Sequence, residues 1–359
     1  MTVWIDIFHT PQFNFYKHFI LNLAKCGHEV NVTVLKRGRT PKIVQHEIGG
    51  VEHVHLYFIG RHRMKHWSVI LEANLLRIPQ LLWWRLWHKG DIAFSNGFHA
   101  AMISRWFGKK SYSFDDDPDT RDFKPKRRYN EECNFCLYED PKTEQKGNNV
   151  HVLRCLKEWA YLAPNVFTPN PKALEKYGVR PKEYIFLREV SVGTVNYAGQ
   201  APQAILAVKE QIEALGLNVL FSLEEKNRRA EYPADWILLQ EPIEDIHSLM
   251  YYSAGLVSSG DSMAREAALL GVPSYYLGVR HSMPANLAAS KVAGLQNTLT
   301  MPFEEWLNEV RGSDIERIED RTNRMMQEQE ALRKKIDAEF IDINAYMMGL
   351  VEGKMNKQL

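Results

Sequence analysis

The sequence predicts an α/β protein built from two domains, each with a parallel β-sheet. Three observations support this prediction: a length of 359 residues, short apolar runs that alternate with helical patterns in both halves, and a proline-rich boundary at residues 168–171. A chain of this length most simply forms two domains of ordinary size. Strands that alternate with helices along the sequence are typical of a parallel sheet covered by helices.

The first half predicts an N-terminal domain over residues 1–166. An apolar run at 3–8 ends at His9 and Thr10, and a helix over 12–26 follows and ends at Gly27. A polar, highly charged stretch at 115–150 has no sustained period and predicts an excursion from the domain. The further predicted elements of this half are strands at 30–35, 54–59, 92–95, 111–114 and 166–168, and helices at 67–87, 100–107 and 152–162.

The second half repeats the alternation and predicts a C-terminal domain over residues 167–302. Residues 303–359 are mostly helical in pattern and carry many charges, so we expect them to pack across both domains, with one helix crossing back to the first. The predicted strands lie at 184–187, 219–223, 236–239, 256–258 and 274–277, and the predicted helices at 204–215, 243–253 and 260–270.

The composition argues against several other classes of protein. Hydrophobic residues make up 45% and charged residues 25% of the chain, as in ordinary globular proteins. Lys plus Arg number 45 against 44 Asp plus Glu, so the net charge of +1 gives no global field toward nucleic acid or anionic lipid. The start of the chain resembles a first strand rather than a signal peptide, and no apolar window of about 18 residues is free of charge. We therefore expect no spanning helix and a cytoplasmic protein.

The strongest chemical signal is GLVSSGDSMAREAALLGVP at 255–273. An apolar strand runs through small residues directly into a helix, whose first N–H groups and positive dipole end favour an anion. Ser259 and Gly260 leave room for a phosphate, Ser262 can add a hydroxyl or cap the helix, and Glu266 could accept hydrogen bonds from ribose hydroxyls. The alternative is an ordinary capped helix in which Glu266 is solvated or salt-bridged.

Several stretches resemble sugar-transferring enzymes. IEDIHSLMYYSAGLVSSGDSMAREAALLGVPSYYLG (243–278) is similar to the nucleotide-binding half of GT-B-fold glycosyltransferases, notably the peptidoglycan lipid-intermediate N-acetylglucosaminyltransferases. It is more loosely similar to the non-hydrolysing UDP-N-acetylglucosamine 2-epimerases, whose further acidic and histidine motifs this sequence lacks. Three other stretches resemble a GT-B-like family of bacteria and archaea: 4–30, 167–179 and 186–191.

This resemblance implies two Rossmann-like domains that face a cleft. It places Ser259 and Gly260 at the diphosphate of a nucleotide sugar and Glu266 at its ribose. Arg188 ends the first strand of the second domain and could reach a phosphate. Asp261 departs from the pattern, because a phosphate site favours no carboxylate there.

Polar residues that follow strands of the first half are the catalytic and acceptor-side candidates. Ligands of α/β sheets bind outside the carboxyl ends of the strands. His9 is the best general base, because an ordinary imidazole pKa of about 6.5 suits removal of a hydroxyl proton. Asp116, within an Asp115–Asp117 run, could serve beside it, although these aspartates could instead cap turns or hold Mg²⁺. Thr10, Asn96 and His99 are expected on the acceptor side; for Asn96 and His99 an ordinary βα turn is the alternative.

Two weaker patterns have competing interpretations. Cys133, Cys136, Cys155 and His151 could bind zinc, but the spacing matches no zinc-finger signature, which favours reduced, unligated cysteines. The basic and tryptophan-rich stretch 61–87 suits peripheral contact with a membrane, and a core helix behind a basic loop is the favoured alternative. No P-loop, GxGxxG or nucleic-acid-binding motif is present.

These features together predict a glycosyltransferase that uses neither a metal nor another cofactor. It would move a sugar from a nucleotide-sugar donor, UDP-linked by preference, to a cell-envelope or polysaccharide acceptor that is a saccharide or lipid-linked. His9 and Asp116 would be catalytic. The predicted donor-binding residues are Arg188, Ser259, Gly260, Ser262 and Glu266. The alternatives are a nucleotide-sugar 2-epimerase on the same fold and a non-catalytic nucleotide-sugar-binding protein of a polysaccharide locus.

Overall fold

Two parallel β-sheets organise the chain in the computed structural model, which describes residues 1–62, 72–192, 199–240, 243, 245–312 and 317–354. One unit comprises Met1–Tyr161 and Phe340–Leu359, and the other comprises Leu162–Glu339. The prediction of an α/β fold with two parallel sheets is confirmed.

The sheet of the first unit has seven strands in the order β3-β2-β1-β4-β5-β6-β7, all parallel. The chain adds strands on one side of β1 and then, from β4 onward, on the other side. The strands are β1 (Thr2–Ile7), β2 (Glu29–Lys36), β3 (Val54–Arg61), β4 (Ile92–Ser95), β5 (Lys110–Asp115), β6 (Glu132–Cys136) and β7 (Val150–Leu153).

Helices of the first half connect these strands. A π-helical turn at Glu72–Arg77 leads directly into α3, which carries Trp84 into a core cluster with Trp4 on β1. The helices are α1 (Thr10–Lys25), α2 (Thr40–Ile48), α3 (Ile78–Trp87), α4 (His99–Trp106), α5 (Phe123–Tyr129), α6 (Pro141–Glu144) and α7 (Trp159–Leu162).

The sheet of the second unit has six parallel strands in the order β10-β9-β8-β11-β12-β13. Its core gathers large aromatic side chains such as Phe221, Trp236 and Trp306. The strands are β8 (Tyr184–Glu189), β9 (Asn218–Leu223), β10 (Ile237–Leu238), β11 (Gly255–Ser258), β12 (Ser274–Tyr276) and β13 (Gln296–Asn297).

The helices of the second half include a long one near the C-terminus. They are α8 (Lys209–Glu213), α9 (Ile246–Tyr251), α10 (Asp261–Leu269), α11 (Pro284–Ala293), α12 (Phe303–Arg311), α13 (Ile318–Glu339) and α14 (Ile343–Glu352); short 3₁₀ turns lie at Pro171–Tyr177, Leu206–Val208 and Lys226–Glu231. The last helix, α14, belongs to the first unit, where the Asn344 amide donates to the Ala160 carbonyl. A C-terminal helix that returns to the first domain is therefore present.

The structure differs from the sequence prediction in the segment 115–150, which contains α5, α6, β6 and the start of β7 instead of an irregular excursion. Strand β6 is difficult to predict from a hydrophobic pattern because one of its buried positions is polar: Asn134 is fully buried. The Tyr346 hydroxyl of α14 bonds the Asn134 side-chain oxygen at 3.2 Å, so a distant helix supplies the polar partner.

The predicted strand at 166–168 is also absent. The N–H groups of Val166 and Phe167 both donate to the carbonyl of Ala163 at 2.9 Å, which makes a turn. Part of the predicted helix 67–87 lies outside the described residues. Within the described residues, no helix combines the length and apolar character needed to cross a membrane.

Candidate functional site

Most of the candidate residues lie where the strand order of each sheet reverses, and Asp116 follows the next strand, β5. This switch point falls between β1 and β4 in the first sheet and between β8 and β11 in the second. Loops that leave the carboxyl ends of such strands diverge and open a crevice for a ligand. His9 follows β1 and Asn96 follows β4, while Glu189 ends β8 and Ser259 follows β11.

His9 stands at the start of α1 with an unpaired ring nitrogen. Its Nδ1 is buried and has no hydrogen-bond partner in the described part of the chain. Burial, reinforced by the charges of Lys157 and Arg37, lowers the His9 pKa to about 3, and the charge of Asp116 partly opposes this shift. The imidazole is therefore neutral at physiological pH. Its pKa in the protein without substrate is lower than the ordinary value of about 6.5 on which the prediction of a general base rested.

Asp116 is held by a lysine that the sequence analysis did not identify. Lys157 Nζ lies 3.0 Å from Asp116 Oδ1, and the two side chains are 11% and 16% exposed. The backbone N–H of Asp116 also donates to the Asp115 carboxylate at 2.9 Å. Lys157 is 41 positions away in sequence and sits in no motif, so only the fold could reveal it.

Thr10 takes part in a contact between two helix starts. Its hydroxyl lies 3.0 Å from the Thr40 hydroxyl, and these residues are the first of α1 and α2. This contact ties the two helices together on the edge of the sheet where His9 lies.

Asn96 and His99 are buried without partners. They are 4% and 6% exposed, and neither the Asn96 amide nor either ring nitrogen of His99 has a hydrogen-bond partner among the described residues. Burial and the nearby charge of Arg77 lower the His99 pKa to about 4, so this ring is also neutral.

In the second unit, α10 begins at a glycine. Gly260 is its extended N-cap residue and has no side chain with which to cap the first turn. The Ser258 hydroxyl folds back onto Gly260, accepting from its N–H at 3.0 Å and donating to its carbonyl at 2.6 Å. Helix geometry then leaves the N–H groups of Asp261, Ser262 and Met263 without acceptors inside the helix.

Ser259 braces the turn that leads into α10. Its hydroxyl accepts from the Val190 N–H at 2.9 Å, and its carbonyl accepts from the Gln200 amide at 2.9 Å. Ser259 is fully buried, so its side chain holds β11 against the end of β8 and its neighbour Gly260 stays in place.

Two arginines neutralise Asp261, the residue that departs from a phosphate-site pattern. Its Oδ2 lies 3.0 Å from Arg280 Nη1 and 3.6 Å from Arg265 Nη1. Arg280 thus sits next to the start of α10, although the sequence analysis did not single it out. Arg188, which it did, donates to the Ser222 hydroxyl at 3.0 Å and to Glu224 at 3.2 Å.

Glu266 lies one turn into α10 and is 8% exposed. Its Oε1 is 3.7 Å from Nε2 of His247 on α9, and the His247 ring packs against Phe167. Helices α9 and α10 therefore place the carboxylate beside an imidazole.

The three cysteines of the possible zinc site are free and buried. The side chains of Cys136 and Cys155 form a hydrogen bond, and burial raises the Cys136 pKa. Across the described ranges, no three or more His, Cys, Asp or Glu side chains cluster as metal ligands would.

Comparison with known proteins identifies the fold. No protein-family model matches the chain, and no curated protein matches it. The glycotransferase of kitacinnamycin has a TM-score of 0.63 at 13% identity, over 99% of both chains. The spinosyn rhamnosyltransferase in complex with thymidine diphosphate scores 0.62 at 13% identity, over 97% of this chain and 100% of that one. UDP-GlcNAc 2-epimerase from Neisseria meningitidis, bound to UDP-GlcNAc, scores 0.61 at 11% identity, over 99% and 100%. These similarities show that the chain has the GT-B fold.

Proposed function

We propose that the protein is a glycosyltransferase that moves a sugar from a UDP-linked donor to a hydroxyl of a cell-envelope or polysaccharide acceptor. The second unit would bind the donor, and the first would bind the acceptor and supply the base. The observation that carries this proposal is that α10 begins at a glycine N-cap, at the switch point of the second sheet.

The donor's diphosphate would lie at the N-terminus of α10. The first-turn N–H groups and the helix dipole stabilise negative charge there, most of all when the sugar leaves and the diphosphate gains charge. Ser262, which is half-buried in the same turn, can add a hydroxyl donor. Arg265 and Arg280 together carry one more positive charge than the Asp261 that they contact, so the start of the helix keeps a net positive charge. Glu266 would accept hydrogen bonds from the ribose hydroxyls.

The proposed reaction is a displacement at the anomeric carbon. A bond forms between the acceptor oxygen and that carbon, while the bond from the carbon to the diphosphate oxygen breaks and its electron pair leaves with UDP. The acceptor's proton passes to the imidazole of His9. The charge of Asp116 favours the resulting imidazolium and acts against the larger effects of burial, Lys157 and Arg37.

Peripheral membrane contact through 61–87 is part of this proposal, because it would bring the protein to a lipid-linked acceptor. The outer face of α3 exposes Trp83 by 66%, Leu86 by 58% and Trp87 by 72%. Exposed tryptophans suit the interface of a bilayer. Vesicles with anionic lipid should sediment the wild type and leave the W83S/W87S variant in solution; equal sedimentation of both would refute this contact.

The function is tested by incubation with UDP-glucose or UDP-N-acetylglucosamine and a set of saccharide acceptors, with released UDP as the readout. UDP release should depend on the acceptor, and H9A should lower it about 100-fold or more while leaving UDP binding intact. H46A, which alters an exposed histidine on α2, is the matched control. UDP binding without release from any donor would instead identify a binding protein.

A 2-epimerase is the second candidate, because the similarity to UDP-GlcNAc 2-epimerases extends over nearly the whole chain. Incubation with UDP-N-acetylglucosamine and no acceptor separates the two functions. Inversion at C2, detected by NMR, would identify the epimerase and overturn the transferase proposal.

A further inference from the structure

The loop after β4 concentrates unpaired polar atoms in a buried place. Both amide atoms of Asn96 and both ring nitrogens of His99 are buried without a partner in the described part of the chain. Roughly 90% or more of buried polar groups in native proteins have a partner, because an unpaired buried group destabilises the fold. Four such atoms on two neighbouring side chains therefore require a partner, which is either ordered water or a bound molecule.

The same loop is held firmly in position. The Ser95 hydroxyl donates to the Gly97 carbonyl at 2.7 Å. A side chain at Gly97 would meet the Phe8 ring at 2.9 Å, so the loop lies closer to Phe8 than any other residue would permit. The His99 ring stacks on Phe98 at 4.3 Å and lies 5.6 Å from the Phe8 ring. The unpaired atoms are thus presented in fixed directions.

The charges around this loop already have partners. Arg77 donates to both carboxylate oxygens of Asp6, at 3.1 and 2.6 Å, and its guanidinium packs over the Phe8 ring. The groups left to meet a ligand are a carboxamide, with two N–H donors and an acceptor oxygen, and a neutral imidazole, with one donor and one acceptor nitrogen. Such a set matches hydroxyl or amide groups and gives no compensation for a bound anion.

We propose that Asn96 and His99 form a subsite for the uncharged hydroxyl or amide groups of a saccharide acceptor. Naming the ligand an acceptor rests on the proposed function; the binding itself does not. His9, whose Nδ1 is also unpaired, follows the adjacent strand β1, so the subsite lies beside the proposed base.

The inference is tested with two substitutions of buried asparagines in the same sheet. Asn31 on β2 is 6% exposed, and its amide donates to the Lys89 carbonyl at 2.8 Å, so N31L removes a satisfied group. N96L removes an unsatisfied one. We expect N31L to lower the melting temperature of the free protein, and N96L to leave it unchanged or raise it by a few degrees.

Binding is then measured by the NMR shifts of the His99 ring during titration with methyl N-acetyl-β-glucosaminide and, separately, glucose 1-phosphate. The neutral glycoside should shift the NMR signals of the His99 ring in the wild type. It should bind N96L about tenfold or more weakly, and it should bind N31L as it binds the wild type. Three results would overturn the inference. Glucose 1-phosphate could bind more strongly than the glycoside, or the glycoside could bind N96L as well as the wild type. The His99 ring signals could also stay unshifted, which would leave ordered water as the only occupant. UDP calorimetry on the same proteins reports on the donor site separately, so a failure of the proposed function can be distinguished from a failure of this inference.

Discussion

Lys157 Nζ lies 3.0 Å from Oδ1 of Asp116, and both charges of this half-buried ion pair act on His9, whose pKa is lowered most by burial. The lysine lowers the His9 pKa and the aspartate raises it. The pair therefore acts on the proposed base through two opposing charges, and removal of either one should have a predictable sign.

Replacement of Lys157 should raise the His9 pKa. In K157M the lowering charge is gone and Asp116 is left unopposed, so the imidazolium becomes easier to form. NMR titration of the His9 ring measures the shift. K172M, which alters an exposed lysine of the second unit, should leave the ring unchanged. A His9 pKa that stays constant or falls in K157M would contradict this electrostatic account.

The buried pair of Asp6 and Arg77 should be essential for stability. Asp6 is fully buried and Arg77 is 1% exposed, and the Thr33 hydroxyl donates a further bond to Asp6 at 2.6 Å. R77M leaves a buried carboxylate uncompensated, which typically costs about 3–5 kcal/mol. Urea unfolding of R77M measures the loss of unfolding free energy.

Two comparisons complete the Asp6 experiment. The double variant D6L/R77M removes both charges and should recover much of the loss. K17M breaks the surface pair of Lys17 and Glu47 and should cost about 1 kcal/mol or less. Equal stability of R77M and the wild type would show that the buried pair does not stabilise the fold.

Acid should destabilise the protein in part through His99. Its pKa is about 4 in the folded chain and 6.5 in the unfolded chain, so below pH 6.5 the unfolded state binds more protons and stability falls as the pH drops. From pH 7 to pH 4 this amounts to on the order of 3 kcal/mol. The groups that act on the ring are Arg77, Asp6 and Asp122.

H99F removes the titrating imidazole and with it the contribution of His99 to the pH dependence of the unfolding free energy. The difference in unfolding free energy between H99F and the wild type should therefore grow in favour of H99F as the pH falls from 7 to 4. H46Q, at an exposed position, is the matched control and should follow the wild type. A pH-independent difference for H99F would contradict the lowered pKa.

Strand ends were predictable from the sequence, and so was the edge of the sheet where the candidates lie. His9, Asn96 and Asp116 each follow an apolar run, and parallel strands bring such positions to one edge. The start of α10 was predictable for the same reason, because small residues separate an apolar run from a helical pattern.

Pairings between distant residues were not predictable. Lys157, the partner of Asp116, lies in no motif. Strand β6 has the polar Asn134 at a buried position, and the hydrogen-bond partner of Asn134 comes from the distant helix α14. Arg188 and Arg280 each lie near the end of a strand and each pair with a carboxylate, so only the fold shows that Arg188 meets Glu224 and that Arg280 meets Asp261 at the start of α10. The unpaired atoms of Asn96 and His99 also required coordinates, because satisfaction of hydrogen bonds is a property of three-dimensional neighbours.

Calorimetric titration of UDP into the wild type and E266A tests the central claim most directly. UDP should bind the wild type, and E266A should weaken binding several-fold or more because the ribose hydroxyls lose their acceptor. E210A, which alters another helical glutamate of the second unit, should bind UDP like the wild type. Equal affinity of E266A and the wild type, or no UDP binding by either, would contradict the assignment of α10 as the donor site.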